Sequence, residues 1–314
     1  MSGIKATMKK ILLTIFSITL CLSGINTAYG FVRHEGKKNK HIVELNMSGY
    51  VNYAPFGWLE EYSKDGRSGY YTVFSPLMDV FVEDANVELH KKTYANSIDD
   101  LVQKVRKGDI DFFVGAYNET ELFRGLHLLY PAVIYNPITV FMLPNRIKEV
   151  SSTEDLKKLK GVINSNEQFS DFVKKRIAEY NPIEVDSAYK AFEKLYTREA
   201  DYMISSYYNG MIEAIKLGLK KQISPAKQTL WNIPMFIGVS KTSRHRNNIS
   251  KKITKYLTDK DNIKAVEQNI QKIITEFEKR YEGTVPPTFV KEDSPKEVVE
   301  EQPQEQTSEQ PQEQ

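Results

Sequence analysis

The chain has 314 residues, 40% of them hydrophobic and 27% charged, with a formal net charge of +2. That length allows two domains of ordinary size, and scattered lysines on a nearly balanced chain leave no basic footprint for a nucleic acid. A single cysteine, Cys21, excludes an intrachain disulfide and a cysteine metal cluster, and the five histidines (34, 41, 90, 127 and 245) lack the spacing of a zinc protease.

Both ends stand apart from the body. Met8-Lys9-Lys10 followed by the apolar run from Ile11 to Leu22 is a basic start and a stretch too short to span a bilayer of about 30 Å. It reads as a secretory signal covering residues 1–30, with Ala28 and Gly30 as the small residues before cleavage at Phe31; an uncleaved anchor is the alternative. A lipoprotein would need a small residue before Cys21, where Leu20 stands. At the other end, Lys291 to Gln314 carries eight acidic and two basic residues and repeats Glu-Gln-Pro-Gln-Glu-Gln, so residues 286–314 are expected to be a disordered tail.

Between these ends, His41 to Met47 suits a first strand, and Tyr53-Ala54-Pro55-Phe56-Gly57-Trp58 reads as an aromatic-rich turn. Turn signals at Lys64-Asp65-Gly66 and Ser68-Gly69 precede helical spacing from Val73 to Val82, and Val87 to His90 makes a second strand. Ser97 then caps a helix with Leu101 and Val105 on its apolar face, Gly108 ends it, and Asp111 opens a third strand. Alternation of strand and helix predicts a doubly wound parallel sheet. Ile138 to Leu143 is a β-prone run set off by Pro131 and Asn136-Pro137, taken as a first crossing into another lobe. That lobe has a short helix at Ser152–Leu156, a strand at Gly161–Ile163, a helix over Asn166–Tyr180, a strand at Ile183–Val185 and a helix over Tyr207–Leu217. Asn232 to Ser240 carries the chain back, and Asn247 to Tyr281 supplies two helices parted near Asp259–Asp261.

One unit occurs twice. Ser187 begins a capped helix ninety positions after Ser97, and an aspartate follows each serine after fourteen residues, at Asp111 and Asp201. The repeat predicts two similar α/β lobes, residues 31–140 with 233–285 and residues 141–232, and a cleft between them suited to a small molecule. The two aspartates are expected to be structural, opening strands and meeting backbone donors.

This arrangement resembles the type 2 periplasmic-binding-protein fold, in particular the polar-amino-acid branch (family 3) of bacterial extracellular solute-binding proteins. The likeness is carried by Tyr53-Ala54-Pro55-Phe56, by Gly66 to Tyr70, by Leu101 to Asp111 with its Gly108, by Thr120 to Arg124 followed by Tyr130-Pro131, and by Asp155 to Val162. It implies two doubly wound sheets joined by two crossing strands, with hinges near Thr139–Phe141 and Met235–Ile237. It also implies that Arg124 grips a ligand carboxylate through its planar fork of donors. Ser206 stands where the family usually has an aspartate for the ligand's ammonium, which directs the expectation to an anionic or polar ligand.

Other candidates come from residue chemistry. Tyr53, Phe56, Trp58 and Tyr117 offer faces for an apolar part of a ligand or fill the core. Ser165 and Asn166, in Asn164–Glu167, start a helix that either attracts an anion or is plainly capped. Ser205, Ser206 and Tyr207 lie at the carboxyl edge of a strand, where open sheets bind ligands.

The resemblance implies an exported, monomeric receptor in the periplasm that binds a small polar or carboxylate-bearing solute and presents it to the membrane permease of an ABC transporter. No glycine loop for phosphates and no cofactor motif is present. Two alternatives stand beside it: a dehydratase-like enzyme using Glu119, Glu121 or Glu167 as acid or base, and an envelope interaction protein that needs no ligand.

Overall fold

The computed structural model describes residues 42–60, 69–92, 97–118, 120–147 and 152–289. The expected signal segment, most of the turn at Lys64–Gly69, Glu119 and nearly all of the Gln-rich tail lie outside the described residues. The chain begins with β1 (Val43–Gly49), whose inner positions Leu45 and Met47 are buried. A small antiparallel sheet of β2 (Asn52–Tyr53), β3 (Gly57–Glu60) and β4 (Gly69–Tyr71) follows, and then α1 (Ser75–Val82), started by Pro76. The sequence suggested only a turn at Tyr53–Trp58; the aromatics there pack closely enough to order its flanks into strands.

Next come β5 (Val87–Lys91), α2 (Ile98–Lys107) and β6 (Phe112–Ala116). Every local signal in α2 agrees. Ser97 Oγ accepts the N–H of Asp100, Asp99 and Asp100 sit at the positive end of the helix dipole, and Lys104, Arg106 and Lys107 sit at the negative end. Leu101, Val102 and Val105 form the buried stripe, worth at most about 1.5–3 kcal/mol each. Gly108, at φ +90°, ends the helix in a conformation that residues with a Cβ rarely adopt.

A 3₁₀ turn at Glu121–Phe123 leads into β7 (His127–Met142), sixteen residues long and thus much longer than the six-residue run expected. Then follow α3 (Thr153–Leu156), β8 (Gly161–Asn164), α4 (Asp171–Ala178), β9 (Ile183–Val185), α5 (Ala188–Tyr196), β10 (Tyr202–Ser206) and α6 (Tyr207–Lys216). The expected helix from Asn166 starts at Asp171 instead, because Ser170 is its cap and Asn164 Oδ1 accepts the N–H of Asn166 in a turn. After β11 (Ser224–Pro225) and β12 (Trp231–Val239), α7 (Arg246–Leu257) and α8 (Lys260–Arg280) break at Asp259, whose side chain caps α8.

Eight strands order as β5-β1-β6-β12-β7-β10-β8-β9, with β11 added beside β7. The first three and the last three pair in parallel, while β12 and β7 run antiparallel to their neighbours and weld the two halves into one sheet. Separate sheets were expected; the crossing strands pair with each other along most of their length, which merges the halves. A register shift at Met235–Ile237 interrupts that pairing at one of the two expected hinge positions.

The repeat aspartates have matching roles. Asp111 Oδ2 accepts the N–H of Asn46 at 2.8 Å, and Asp201 Oδ2 accepts the N–H of Lys160 at 2.8 Å. Asp111 also takes the hydroxyl of Ser243, and Asp201 pairs with Arg146. Past α8 the chain crosses once more. Thr284 lies over Gly218, and Phe289 packs between Tyr189 and Tyr196 of α5, against the smaller of two core clusters around Phe141, Phe192 and Met203.

Candidate functional site

A cavity of about 780 Å³ opens between the two halves of the sheet. The first half contributes Tyr50, Asn52, Tyr53, Trp58 and Glu60, and the end of α8 adds Phe277, Arg280 and Tyr281. Opposite them stand Asn164, Asn166 and Gln168 from the loop after β8, and Asn209, Glu213 and Lys216 along α6. The two serines of the repeat, Ser97 and Ser187, face this cavity from α2 and α5, so the duplicated grammar builds both of its rims.

The wall is held by its own charges. Glu60 Oε1 accepts Trp58 Nε1–H at 2.9 Å and Arg280 Nη1–H at 2.6 Å, and Arg280 also lies 5.4 Å over the ring of Phe277. Trp58 stacks on Tyr71 and meets Phe277 edge-on. On the other side, Lys216 Nζ donates to Glu213 at 2.7 Å within α6. These are closed pairs on a partly wet surface, and each fixes geometry more than it adds stability.

Beneath the cavity lies a buried polar cluster that joins the halves. Asn136, on β7, donates its amide hydrogens to Tyr53 Oη at 3.0 Å and Tyr117 Oη at 3.1 Å, and its carbonyl accepts Ser206 Oγ–H at 2.6 Å. Glu167 then accepts the N–H of Ser206 at 2.7 Å and the hydroxyl of Ser205 at 2.8 Å. Burial raises the Glu167 carboxyl to about 8, with the Ser206 N–H and the Ser205 hydroxyl holding it below what desolvation alone would give. Burial likewise raises the phenols of Tyr53 and Tyr117. Nearby, Asn209 Nδ2 donates to the carbonyl of Ala54 at 3.1 Å, a second bond across the cleft.

The residues picked from sequence therefore divide three ways. Tyr53, Trp58 and Asn166 line the cavity, and Tyr117, Ser205 and Ser206 meet Tyr53 in the cluster below it. Phe56 is fully buried among Tyr53, Phe74 and Tyr208; Ser165 gives its hydroxyl to the carbonyl of Val185; Tyr207 leans on Tyr208 outside the lining. Arg124 is placed differently from the expectation. Its side chain is 78% exposed, pairs with Glu121 one turn away and is not part of the lining, because the turn at Glu121–Phe123 buries Phe123 and points the arginine outward. Glu121 is thereby spent on the surface as well.

Sequence reasoning missed Asn136, Asn209 and the pairs Glu60–Arg280 and Glu213–Lys216. Asn136 was read as punctuation before a proline, and Glu60 and Arg280 lie too far apart in sequence to be connected. Asn209, three residues after Ser206, the cap of its helix, could have been found from helical spacing. Among the described residues, no group of three or more His, Asp or Glu side chains could hold a metal ion, and no helix is long and apolar enough to cross a membrane.

No family model matches the chain, and no curated protein matches it. Solved structures do. An amino acid ABC transporter substrate-binding protein from Streptococcus pneumoniae, bound to L-arginine, is similar with a TM-score of 0.56 and 13% identity, over 74% of this chain and 94% of that one. The ancestral amino acid-binding protein AncCDT-1, a precursor of cyclohexadienyl dehydratase, gives 0.53 and 14%, over 72% and 95%. A histidine kinase sensor domain with similarity to periplasmic binding proteins gives 0.52 and 12%, over 79% and 99%. At such identities the likeness shows the fold, which is the two-lobed periplasmic-binding-protein fold of type 2.

Proposed function

We propose that the protein is a solute-binding receptor of the cell envelope that holds a small polar molecule between its lobes and hands the occupied form to a membrane partner, a permease of the ABC type. The observation that carries this reading is the cavity of about 780 Å³ with residues of both lobes in its wall, a size that suits a small organic ligand. Binding there would draw the halves together about the irregular pairing at Met235–Ile237, and so convert occupancy into shape. Lobe boundaries near residues 140 and 232, an exported mature chain from Phe31 and a monomeric state belong to the same proposal.

The cavity's acids support a binding role over catalysis. Glu60 and Glu213 are each neutralised by a basic neighbour, and Glu167, the one carboxyl among the described residues with a raised affinity for its proton, is absent from the lining and has both oxygens engaged. A general acid or base needs hydrogen-bond reach of a substrate, and none of the three has it free. One structural neighbour is an amino acid-binding protein that is a precursor of a dehydratase, which keeps the catalytic reading as the competitor.

Differential scanning fluorimetry of the mature chain against amino acids, organic acids and saccharides tests this. A ligand at a hundred times its Kd stabilises by about 2.7 kcal/mol, a rise of roughly 5–10 °C in Tm for a domain of this size. That rise should shrink in Asn52→Ala, and chromatography should recover the compound unchanged. Consumption of the compound would favour the enzyme, and silence across the panel would remove the receptor.

A further inference from the structure

We infer that this cavity takes an uncharged polyhydroxyl ligand, a short saccharide, rather than a free amino acid; the inference rests on the receptor reading and specifies its ligand. A zwitterion needs a cation for its carboxylate and an anion for its ammonium, both withdrawn from water at once. Among the described residues, the four charged side chains of the lining have already closed into two pairs, at 2.6 Å and 2.7 Å. A charged ligand would have to break one pair to form another, desolvating its own group and leaving a wall residue without its partner. Arg124, the one arginine that sequence offered for a carboxylate, stands outside with Glu121. Below the floor, the N–H of Ser206 and the hydroxyl of Ser205, which could have received a carboxylate, already hold Glu167.

What the described wall leaves unspent is neutral. Asn166 Nδ2 donates to the carbonyl of Asp186, Gln168 Nε2 to that of Asn166, and Asn209 Nδ2 to that of Ala54. These bonds orient three side-chain carbonyls and leave their oxygens without a donor among the described residues. Asn52 is exposed on the rim, and its amide makes no bond to any described residue. Oriented amide acceptors suit ligand hydroxyls, because an uncharged O–H can donate to such a carbonyl without an ionic partner. Facing them are Trp58 and Tyr281, half-buried rings that each stack on a neighbour, Tyr71 or Phe277, so that an outer face carrying partial negative charge can attract the polarised C–H face of a sugar ring. Size agrees: the volume lies in the upper part of the range of about 300–1,000 Å³ typical of small-molecule sites, generous for a single amino acid.

Titration calorimetry of the mature chain with N,N′-diacetylchitobiose and maltotriose, beside L-arginine and L-glutamine, tests the inference. One of the saccharides should bind, its Kd should hold within about twofold between low and high salt because no ionic contact is made, and Asn52→Ala should weaken it by about fivefold. Trp58→Ala should weaken it further; if that variant fails to fold, the exposed Asn52 still decides. Tighter binding of either amino acid, lost in Asn52→Ala, overturns the saccharide and leaves the receptor standing. Failure of both saccharides at about 10 mM, well above a weak Kd of about 1 mM, also overturns it, and failure of all four probes counts against the receptor itself.

Discussion

Replacing Glu167 by glutamine should make the protein more stable in mild alkali and leave it nearly unchanged in acid. The wild-type carboxyl is wholly buried, and its folded-state value of about 8 stands above an ordinary 4.5. The folded protein therefore holds this proton more tightly than the unfolded chain does. Its stabilising effect is complete below about pH 4.5 and is lost as pH rises through about 8. Each unit of difference is worth about 1.4 kcal/mol, so the loss by pH 8 is on the order of 3–5 kcal/mol before relaxation. A glutamine keeps the geometry. Its carbonyl can accept the N–H of Ser206, and its amide can donate to Ser205 Oγ, whose own hydrogen then turns to the carbonyl of Ser206, 3.3 Å away. Alanine supplies neither partner, orphans the Ser206 N–H and opens a void, for about 2–5 kcal/mol at neutral pH. Urea unfolding at pH 5, 6.5 and 8, read as midpoint and slope, checks this. Wild-type and Glu167→Gln curves that run parallel across that range would refute the idea that the carboxyl is protonated in the fold.

Arg124→Ala should change stability by less than about 0.5 kcal/mol and leave solute affinity untouched, since its one partner is an exposed glutamate; calorimetry with a cognate ligand checks it. Asp111→Ala and Asp201→Ala should each cost about 1–3 kcal/mol by chemical unfolding, because each strips a backbone N–H of its acceptor at equivalent places in the repeat. Gly218→Ala should loosen the C-terminal segment: φ there is +68°, and a Cβ would lie 2.4 Å from the Thr284 carbonyl. Faster hydrogen exchange in α5, where Phe289 packs, is the expected sign.

Much of the framework was legible because it is local. Ser97 and Ser187 cap the helices they were expected to cap, since a cap bonds three residues ahead, and Asp111 and Asp201 open their strands at matching places in the repeat, although each bonds a neighbouring parallel strand 65 or 41 positions away. The reach of β7 was hidden by Pro131 and Pro137. Neither breaks it, because β10 joins β7 only from Ile138 onward, and up to that point one edge is left unpaired where a missing N–H does no harm. The candidate site was half legible. Tyr53, Tyr117, Ser205 and Ser206 do converge, yet what they converge on is Asn136 and Glu167 of the same chain, a choice made by tertiary packing. Glu60 and Arg280 meet across 220 positions, a distance at which no spacing rule operates.

The segment beyond α8 changes the parity of the chain. Strand β7 carries it over, β12 brings it back, and the run that seats Phe289 on α5 carries it over again, so Ile42 and Phe289 stand against opposite halves of the sheet. With the proposed closure, tension applied between those two residues would act across the mouth of the cavity instead of along one wall. Donor and acceptor dyes attached beside them would report gape directly as energy transfer, and a tether holding the final residues would resist or favour opening without touching the solute.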